Sequence, residues 1–213
     1  MFTITMHDCV TGTSLLNNVI SNYHISLTVI VNGRNVPPKE KILILSAMYT
    51  ILQTPRMIIR EFRPDEEETY LEMYRDADIN RHLTKRTDEE RRDRFREMLS
   101  GYGSKKLGRW GIFDPADGDL VGTCKLLPND TDPEKMEIGY VLAKKYWSKG
   151  LATELAKALV DYGFNQIGLK EICACVDFEN IASQNVLLKA GFARAGNIFW
   201  HGRELPFLVI TKE

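Results

Sequence analysis

The stretch "KKYWSKGLATELAKAL", from Lys144 to Leu159, carries the strongest fold signal in this sequence. It follows an apolar segment typical of a strand, "MEIGYVLA", and enters a strong helix pattern through Lys149 and Gly150. One explanation is local: Ser148 caps the helix and Gly150 has no further role. The other is chemical, because a glycine in the first turn lets a phosphate approach unpaired backbone N–H groups, where the helix dipole and Lys149 both favour an anion.

Strand and helix patterns alternate on both sides of this stretch. Strands are predicted at 57–62, 136–143 and 170–178, with hairpins at 109–127 and 198–212; helices are predicted at 64–75, 87–100, 148–168 and 180–190. Thr87 and Glu90 are predicted to form a capping box at the start of the second of these helices. Before Met57, residues 24–38 are predicted to form two strands around an Asn32-Gly33 turn, and residues 39–53 a helix. The order predicts an α/β fold with a mixed central β-sheet flanked by helices. Met136 to Asp177 form a βαβ unit, whose helix begins at the carboxyl edge of the sheet, where open α/β sheets bind ligands.

Composition limits the classes of function. A chain of 213 residues with 44% apolar residues supports one good core, and 28 basic against 29 acidic residues give no basic excess for nucleic acid. Four unevenly spaced cysteines favour reduced thiols in the cytoplasm and predict no metal site. The longest apolar run, residues 42–52, is too short to span a bilayer, and the start lacks a signal-peptide pattern.

Two segments together resemble a known family. "YWSKGLATELAKAL" and "VDFENIASQNVLLKAGF" resemble the signature segments of the GNAT acyltransferases, and specifically the branch that acetylates ribosomal-protein N-termini. The first segment matches the pyrophosphate loop through Gly150 and Ala152, with Trp147 at the usual Arg or Gln position. The second matches through Asn180, and the resemblance runs in order from about Met57 to the C-terminus.

The resemblance implies acetyl-CoA as the co-substrate and no metal. Backbone N–H groups of the loop would bind its pyrophosphate, although an ordinary helix start is the alternative. Main-chain groups of the preceding strand would line the pantetheine arm. Asn180 would bind that arm or only cap its helix, and Lys189 would pair with a phosphate or be only a solvated charge. The cofactor-binding residues implied are Tyr140, Val141, Leu142, Ser148, Lys149, Gly150, Leu151, Ala152, Asn180 and Lys189.

The resemblance also implies catalytic roles. Glu137 resembles the carboxylate that removes the amine proton through water, although an exposed strand residue is the alternative. Many members protonate the leaving thiolate with a tyrosine at the position that Leu187 holds here. Ser183 is therefore the predicted acid, with a helix-packing serine as the alternative. A backbone N–H near Val141 would stabilise the oxyanion.

The predicted activity is transfer of acetyl from acetyl-CoA to a primary amine. A protein or peptide N-terminus is the favoured acceptor; a polyamine, amino acid or aminoglycoside is the alternative in the same chemistry, and a catalytically silent CoA-binding module is a different class. His82 and His201 would border the acceptor site or be ordinary surface histidines. Residues 57–213 are predicted to form the catalytic domain, and residues 1–56 an upstream extension or a dimerisation or regulatory element.

Overall fold

The computed structural model describes residues 3–6, 28–31, 34–35, 50–103, 106–200 and 202–212. Its strands are β1 (Thr3–Met6), β2 (Thr28–Val31), β3 (Arg34–Asn35), β4 (Thr50–Gln53), β5 (Ile58–Arg60), β6 (Gly108–Phe113), β7 (Leu120–Pro128), β8 (Met136–Leu142), β9 (Glu171–Cys175), β10 (Ala193–Trp200) and β11 (Arg203–Thr211). Its α-helices are α1 (Glu67–Arg75), α2 (Ala77–Asn80), α3 (Asp88–Ser100), α4 (Leu151–Asp161) and α5 (Ile181–Lys189).

The main sheet has eight strands in the order β10-β11-β9-β8-β7-β6-β5-β4. All neighbours in it are antiparallel except β8 and β9, which are parallel and joined through α4. This arrangement confirms the predicted α/β fold with a mixed sheet. The crossover places the start of α4 beyond the carboxyl end of β8, as the sequence predicts.

Two apolar cores hold the helices against the sheet. The larger contains Leu155 and Leu159 of α4 together with Trp110 and Ile138 of the strands, all of which are almost fully buried. The spacing of four residues puts both leucines on one helix face, and complete burial of each such side chain contributes about 1.5–3 kcal/mol.

The second core lies under α1 and α3 and is mainly aromatic. Phe62 contacts Tyr70, Phe95 and Phe113 edge to face, with ring centroids 5.8, 5.4 and 5.5 Å apart. This geometry suits the ring quadrupoles. The cluster seats α1 and α3 over the half of the sheet formed by β5 to β8.

Local signals located most helix ends. Thr87 caps α3 and forms the predicted capping box with Glu90. The alternative in which Ser148 caps α4 is wrong, because Gly150 is the N-cap and has a left-handed backbone, with φ +78°. After α4 a π-helical turn continues to Ile167 and ends at Gly168, as predicted.

No helix in the described part of the chain is long and apolar enough to cross a membrane.

The segment before Met57 contributes to two sheets. β1, β2 and β3 form a three-stranded sheet, and β2 pairs with β3 antiparallel, as predicted; the turn predicted at Asn32-Gly33 lies outside the described residues. The helix predicted over 39–53 is wrong for Thr50–Gln53, because these β-prone residues pair with β5 as the edge strand of the main sheet; residues 36–49 lie outside the described ranges. The domain boundary at Met57 stays a prediction.

Candidate active site

The parallel strands β8 and β9 separate soon after they meet. Their register contains a single pair, Glu137 with Cys173, although β8 continues to Leu142. Beyond that pair, β8 has a neighbour on one side only, which is β7. The sheet therefore has an internal gap along the free edge of β8, beyond Glu137.

Backbone alternation identifies which groups of β8 face the gap. The N–H of Ala143 donates to the carbonyl of Val121 at 2.9 Å, so that pair is hydrogen-bonded toward β7. Because bonded and non-bonded pairs alternate in an antiparallel ladder, Val141 also bonds toward β7. The backbone polar groups of Tyr140 and Leu142 consequently point into the gap.

The turn before α4 presents a row of unpaired donors. Within the described structure, no backbone N–H from Ser148 to Thr153 donates a hydrogen bond. Ser148 and Gly150 both have positive φ, at +59° and +78°, and this backbone turns the consecutive N–H groups outward. Such a nest at a helix start suits an anion, so the residues present fit the pyrophosphate of acetyl-CoA.

Arg56 supports this turn from the strand side. Its guanidinium donates to the carbonyl of Lys149 at 2.9 Å and to the carboxylate of Glu154 at 2.7 Å. Glu154 is the one acidic residue in the first turn of α4. Arg56 thus neutralises a charge that would oppose a bound phosphate.

Trp147 connects the turn with the free edge of β8. Its indole N–H donates to the carbonyl of Leu142 at 2.7 Å, while 42% of the residue remains exposed. This bond satisfies the backbone carbonyl of Leu142, one of the two β8 residues whose backbone polar groups face the gap.

Glu137 is buried and held by two donors. Its Oε2 lies 2.8 Å from Nζ of Lys125 and accepts a hydrogen bond from Nδ2 of Asn129 at 3.1 Å. Only 7% of Glu137 is exposed, so the alternative of an exposed strand residue is wrong. The residue lies where β8 last pairs with β9, which brings its carboxylate to the beginning of the gap.

Ser183 and Tyr140 meet at the other side of the gap. Their hydroxyl oxygens are 3.1 Å apart, and burial raises the pKa of Tyr140 to about 12, against the smaller opposing effect of this hydrogen bond. Asn180 caps α5 by accepting from the N–H of Ser183 at 3.0 Å, which confirms its capping role. Leu187, at the usual position of the acid, is buried in the core.

A cavity of about 490 Å³ joins these groups. Glu137, Tyr140, Val141, Asn180 and Ser183 all line it, together with side chains of α1 and α3 from the opposite wall. The structure thus brings both predicted catalytic residues and four of the predicted cofactor-binding positions near one another or along one gap. None of the described lining residues comes from the Ser148–Ala152 turn, so the turn lies outside this cavity.

The remaining predicted residues lie at the periphery. Lys189 is exposed at the C-terminal end of α5, the end opposite Asn180. His82 lines the cavity, and its Nδ1 is 3.9 Å from Asp177. His201 lies outside the described residues. Leu151 is buried, so only its backbone N–H is available to a ligand.

One described cluster has metal-ligand residue types. His82, Asp177 and Glu179 offer ligand atoms within 4.8 Å of one another. Arg203 donates to Asp177 at 2.9 Å and already neutralises its carboxylate. Ion pairing at the rim of the cavity accounts for this cluster without a metal.

Sequence reasoning missed Lys125, Asn129 and Arg56. One sequence signal was available for Lys125, because side chains alternate along the second strand of the hairpin and this places Lys125 on the same face as Thr123. Asn129 and Arg56 carried none, because their partners are distant in sequence or depend on the loop geometry.

Comparison with known proteins agrees with this geometry. The family model described as "Acetyltransferase (GNAT) domain" matches residues 56–193. The uncharacterised N-acetyltransferase YoaA of Bacillus subtilis is 30% identical over 152 residues, which is 70% of this chain and 86% of YoaA. The spermidine N(1)-acetyltransferase of Escherichia coli K12 is 32% identical over 82 residues, 38% of this chain and 44% of that enzyme.

Solved structures share the fold. A GNAT-family acetyltransferase of Bacillus anthracis superposes with a TM-score of 0.65 at 25% identity, covering 75% of this chain and 97% of its own. The ribosomal-protein-S5-alanine acetyltransferase of Vibrio fischeri has a TM-score of 0.61 at 16% identity, covering 75% and 95%. An aminoglycoside acetyltransferase in complex with coenzyme A also has a TM-score of 0.61, at 19% identity, covering 73% and 95%.

The family match covers most of the chain and includes the turn before α4, the gap beside β8 and the residues Glu137 and Ser183. The chain belongs to the GNAT family of acetyltransferases.

Proposed function

We propose that this acetyltransferase transfers the acetyl group of acetyl-CoA to the α-amine of a protein or peptide N-terminus in a direct ternary complex, without a covalent enzyme intermediate. The observation that carries the proposal is that Glu137 and Ser183 line one cavity, which opens into the gap between β8 and β9. An amine and a thioester would meet there.

The chain offers separate groups for each part of the cofactor, which supplies an activated acyl group when bound. The N–H groups from Ser148 to Ala152 hold the pyrophosphate, and the backbone edge at Tyr140 and Leu142 holds the pantetheine arm like an added strand. The side-chain amide of Asn180 faces the same cavity, so it can donate to the arm while its oxygen caps α5. Lys189 contributes a distant positive charge.

Glu137 is the proposed base. Lys125 and Asn129 both act on Oε2, so they orient the carboxylate and leave Oε1 to accept a proton from a water molecule beside the amine. An N-terminal amine has a pKa of about 7.7–8.0, so only weak base assistance is needed. A lysine-like amine, with a pKa of about 10.4, would require more.

Ser183 is the proposed acid for the leaving thiolate, with Tyr140 behind it. Burial keeps the pKa of Tyr140 at about 12, so its hydroxyl retains its proton at neutral pH and can resupply Ser183 through their hydrogen bond. The oxyanion donor was predicted near Val141. The alternation of β8 favours the adjacent N–H groups of Tyr140 or Leu142, which point into the gap.

The choice of acceptor rests on two further observations. The signature segments resemble the branch that acetylates ribosomal-protein N-termini, and a ribosomal-protein acetyltransferase shares the fold. A small amine is the second candidate, because a relative acts on spermidine and a structural neighbour is an aminoglycoside acetyltransferase.

The test is to incubate purified protein with acetyl-CoA and peptides that carry one free α-amine, with lysine side chains blocked. Release of free CoA together with an acetyl group located on the α-nitrogen by mass spectrometry is the expected result. Turnover with small amines but with no N-terminal peptide would overturn the favoured acceptor.

A further inference from the structure

The lining of the cavity carries an excess of positive charge. The described lining includes six Lys or Arg side chains but only three carboxylates, which belong to Asp130, Glu137 and Asp177. The six basic residues are Arg86, Arg91, Arg94, Arg109, Lys125 and Arg203. The chain as a whole is nearly neutral, so this excess is local.

Three of these six side chains already have a polar partner in the structure. Lys125 pairs with Glu137 at 2.8 Å, and Arg203 pairs with Asp177 at 2.9 Å. Arg91 donates to Oδ1 of Asn80 at 2.6 Å and lies over the ring of Tyr74.

Arg86, Arg94 and Arg109 are different. Among the described residues, none of their guanidiniums forms an ion pair or a side-chain hydrogen bond, and Asp130, the one remaining acid of the lining, forms no ion pair with them. Three guanidiniums that line one cavity, with no ion-pair partner in the described part of the chain, favour an incoming anion.

Burial adds to the demand for an anion. Burial lowers the pKa of Arg109, and the positive charge of Arg94 lowers it further, while the negative charge of Asp130 acts in the opposite direction. Burial likewise lowers the pKa of Arg86, with Arg94 and Arg91 as further causes. A carboxylate bound among these groups would relieve both the repulsion and the lost hydration.

The position of these guanidiniums matches an acceptor and not the cofactor phosphates. Arg109 on β6 is directly opposite Lys125 on β7, and Lys125 reaches Glu137 on β8. Two strand spacings separate β6 from β8, roughly 10 Å. The Ser148–Ala152 turn, which presents its N–H groups to a phosphate, does not line this cavity among the described residues.

We propose that the acceptor is an amine that carries a carboxylate, and that Arg94 and Arg109, assisted by Arg86, bind this carboxylate while the amine lies at Glu137. The inference rests on the proposed acetyl transfer and refines its substrate. Lys125 is opposite Gly139, two residues from Glu137, so the backbones at Arg109 and Glu137 are roughly 12 Å apart. At about 3.3–3.6 Å per extended residue, this places the carboxylate within the first three or four residues of a peptide. A polycation such as a polyamine is repelled by the same wall.

The experiment compares acceptors that differ only in charge. The peptides Ser-Glu-Glu-Ala, Ser-Gln-Gln-Ala and Ser-Arg-Arg-Ala, all with amidated C-termini, are assayed with acetyl-CoA for kcat/KM. Serine, serinamide and spermidine are assayed beside them. We expect kcat/KM for the Glu peptide to exceed that for the Gln peptide about 10- to 100-fold, because the Gln peptide cannot form the charged hydrogen bonds. A preference for serine over serinamide, without a peptide preference, would assign the carboxylate to a free amino acid and still support the anion site.

Arginine variants test whether these guanidiniums cause the preference for the Glu peptide. Arg94→Gln and Arg109→Gln should bring the Glu-to-Gln ratio close to one, mainly through KM. The matched control is Arg96→Gln, because Arg96 lies on the same helix but is exposed and pairs with Asp93 at 3.3 Å. The control should keep the ratio of the unmodified protein. Thermal melting of each variant verifies folding, and Arg94, on the helix surface, remains informative if the Arg109 variant does not fold.

Binding separates the two proposals. If no amine is acetylated, the proposed function fails, and calorimetric titration of the Glu and Gln peptides into CoA-saturated protein then decides the anion site alone. Tighter binding of the Glu peptide that disappears in Arg94→Gln supports the site. Equal or better use or binding of the Gln peptide, the Arg peptide or spermidine, without a preference for serine over serinamide, overturns it.

Discussion

The hydroxyl oxygen of Tyr140 lies 3.1 Å from that of Ser183, so a strand residue and a helix residue share one hydrogen bond across the gap beside β8. The family position of the usual acid is occupied by Leu187, whose side chain is buried in the core and has no proton to give. We therefore propose the Tyr140–Ser183 pair as the source of the proton for the leaving thiolate.

This pair predicts a non-additive response. Ser183→Ala should lower kcat about 100-fold, in the range typical of general acid catalysis, without changing the Kd for CoA. Tyr140→Phe should lower kcat less, and the double variant should resemble Ser183→Ala alone, because the two hydroxyls act as one unit. Steady-state kinetics with CoA titrations measure both quantities. Unchanged turnover in Ser183→Ala would remove the acid role.

Glu137→Gln should lower kcat about 100-fold near neutral pH, since the amide cannot accept the amine proton. With an N-terminal acceptor the defect should diminish as the pH rises past about 8, because the amine then loses its proton to solvent. The pH profile of kcat measures this recovery. Glu171→Gln is the matched control, because Glu171 pairs with Lys135 on the sheet surface. A defect of equal size at every pH would argue against the base role.

Gly150→Ala should reduce both stability and CoA affinity. Gly150 has φ +78°, and a Cβ there would meet only Arg56, at 3.7 Å, so the cost is backbone strain of about 1–2 kcal/mol. Gly118→Ala is a close control, because Gly118 also has φ +78° with no atom within 4 Å. Urea unfolding should show similar losses for the two variants, whereas calorimetry should show a weaker Kd for CoA only at Gly150. Equal CoA binding by both variants would argue against the proposal that this turn binds the pyrophosphate.

Arg56→Gln should weaken CoA binding roughly two- to fivefold, because it leaves the Glu154 carboxylate unpaired at the positive end of α4. The double variant Arg56→Gln with Glu154→Gln should regain most of the affinity. Titration of CoA at low and high salt measures both effects, which salt should reduce. A double variant as weak as the single one would show that Arg56 acts through the Lys149 carbonyl instead.

The free energy of unfolding should fall at alkaline pH. Burial raises the pKa of Cys175 to about 11 and those of Cys173 and Tyr140 to about 12. In the unfolded chain these groups ionise at roughly 8.5 for the thiols and 10 for tyrosine. Because the folded protein holds these protons more tightly, their contribution is fully present below about pH 8.5 and is lost as the pH rises toward 12.

Urea unfolding between pH 8 and 11 measures this loss. Cys175→Ala should flatten the dependence, since it removes one of the groups that ionise on unfolding. Stability that stays constant or increases over this range would contradict the linkage.

The sequence by itself determined the order of elements from Met57 onward and the position of the glycine turn before α4. Short-range rules were sufficient there: the Thr87 and Glu90 capping box, the stripe of Leu155 and Leu159, and the glycine before α4 all act within a few residues. The same rules failed at Thr50–Gln53, where pairing with β5 outweighs a helix-like apolar run.

Only the tertiary structure decided which side chains share the site. Glu137 meets Lys125 and Asn129, and Tyr140 meets Ser183, because strand register and the separation of β8 from β9 bring together residues far apart in the chain. The positive charge of the cavity likewise depends on which lining arginines have no ion-pair partner among the described residues. Three-dimensional packing determines these partners. Sequence spacing specifies local backbone geometry, whereas the electrostatics of a cavity arise from contacts across the fold.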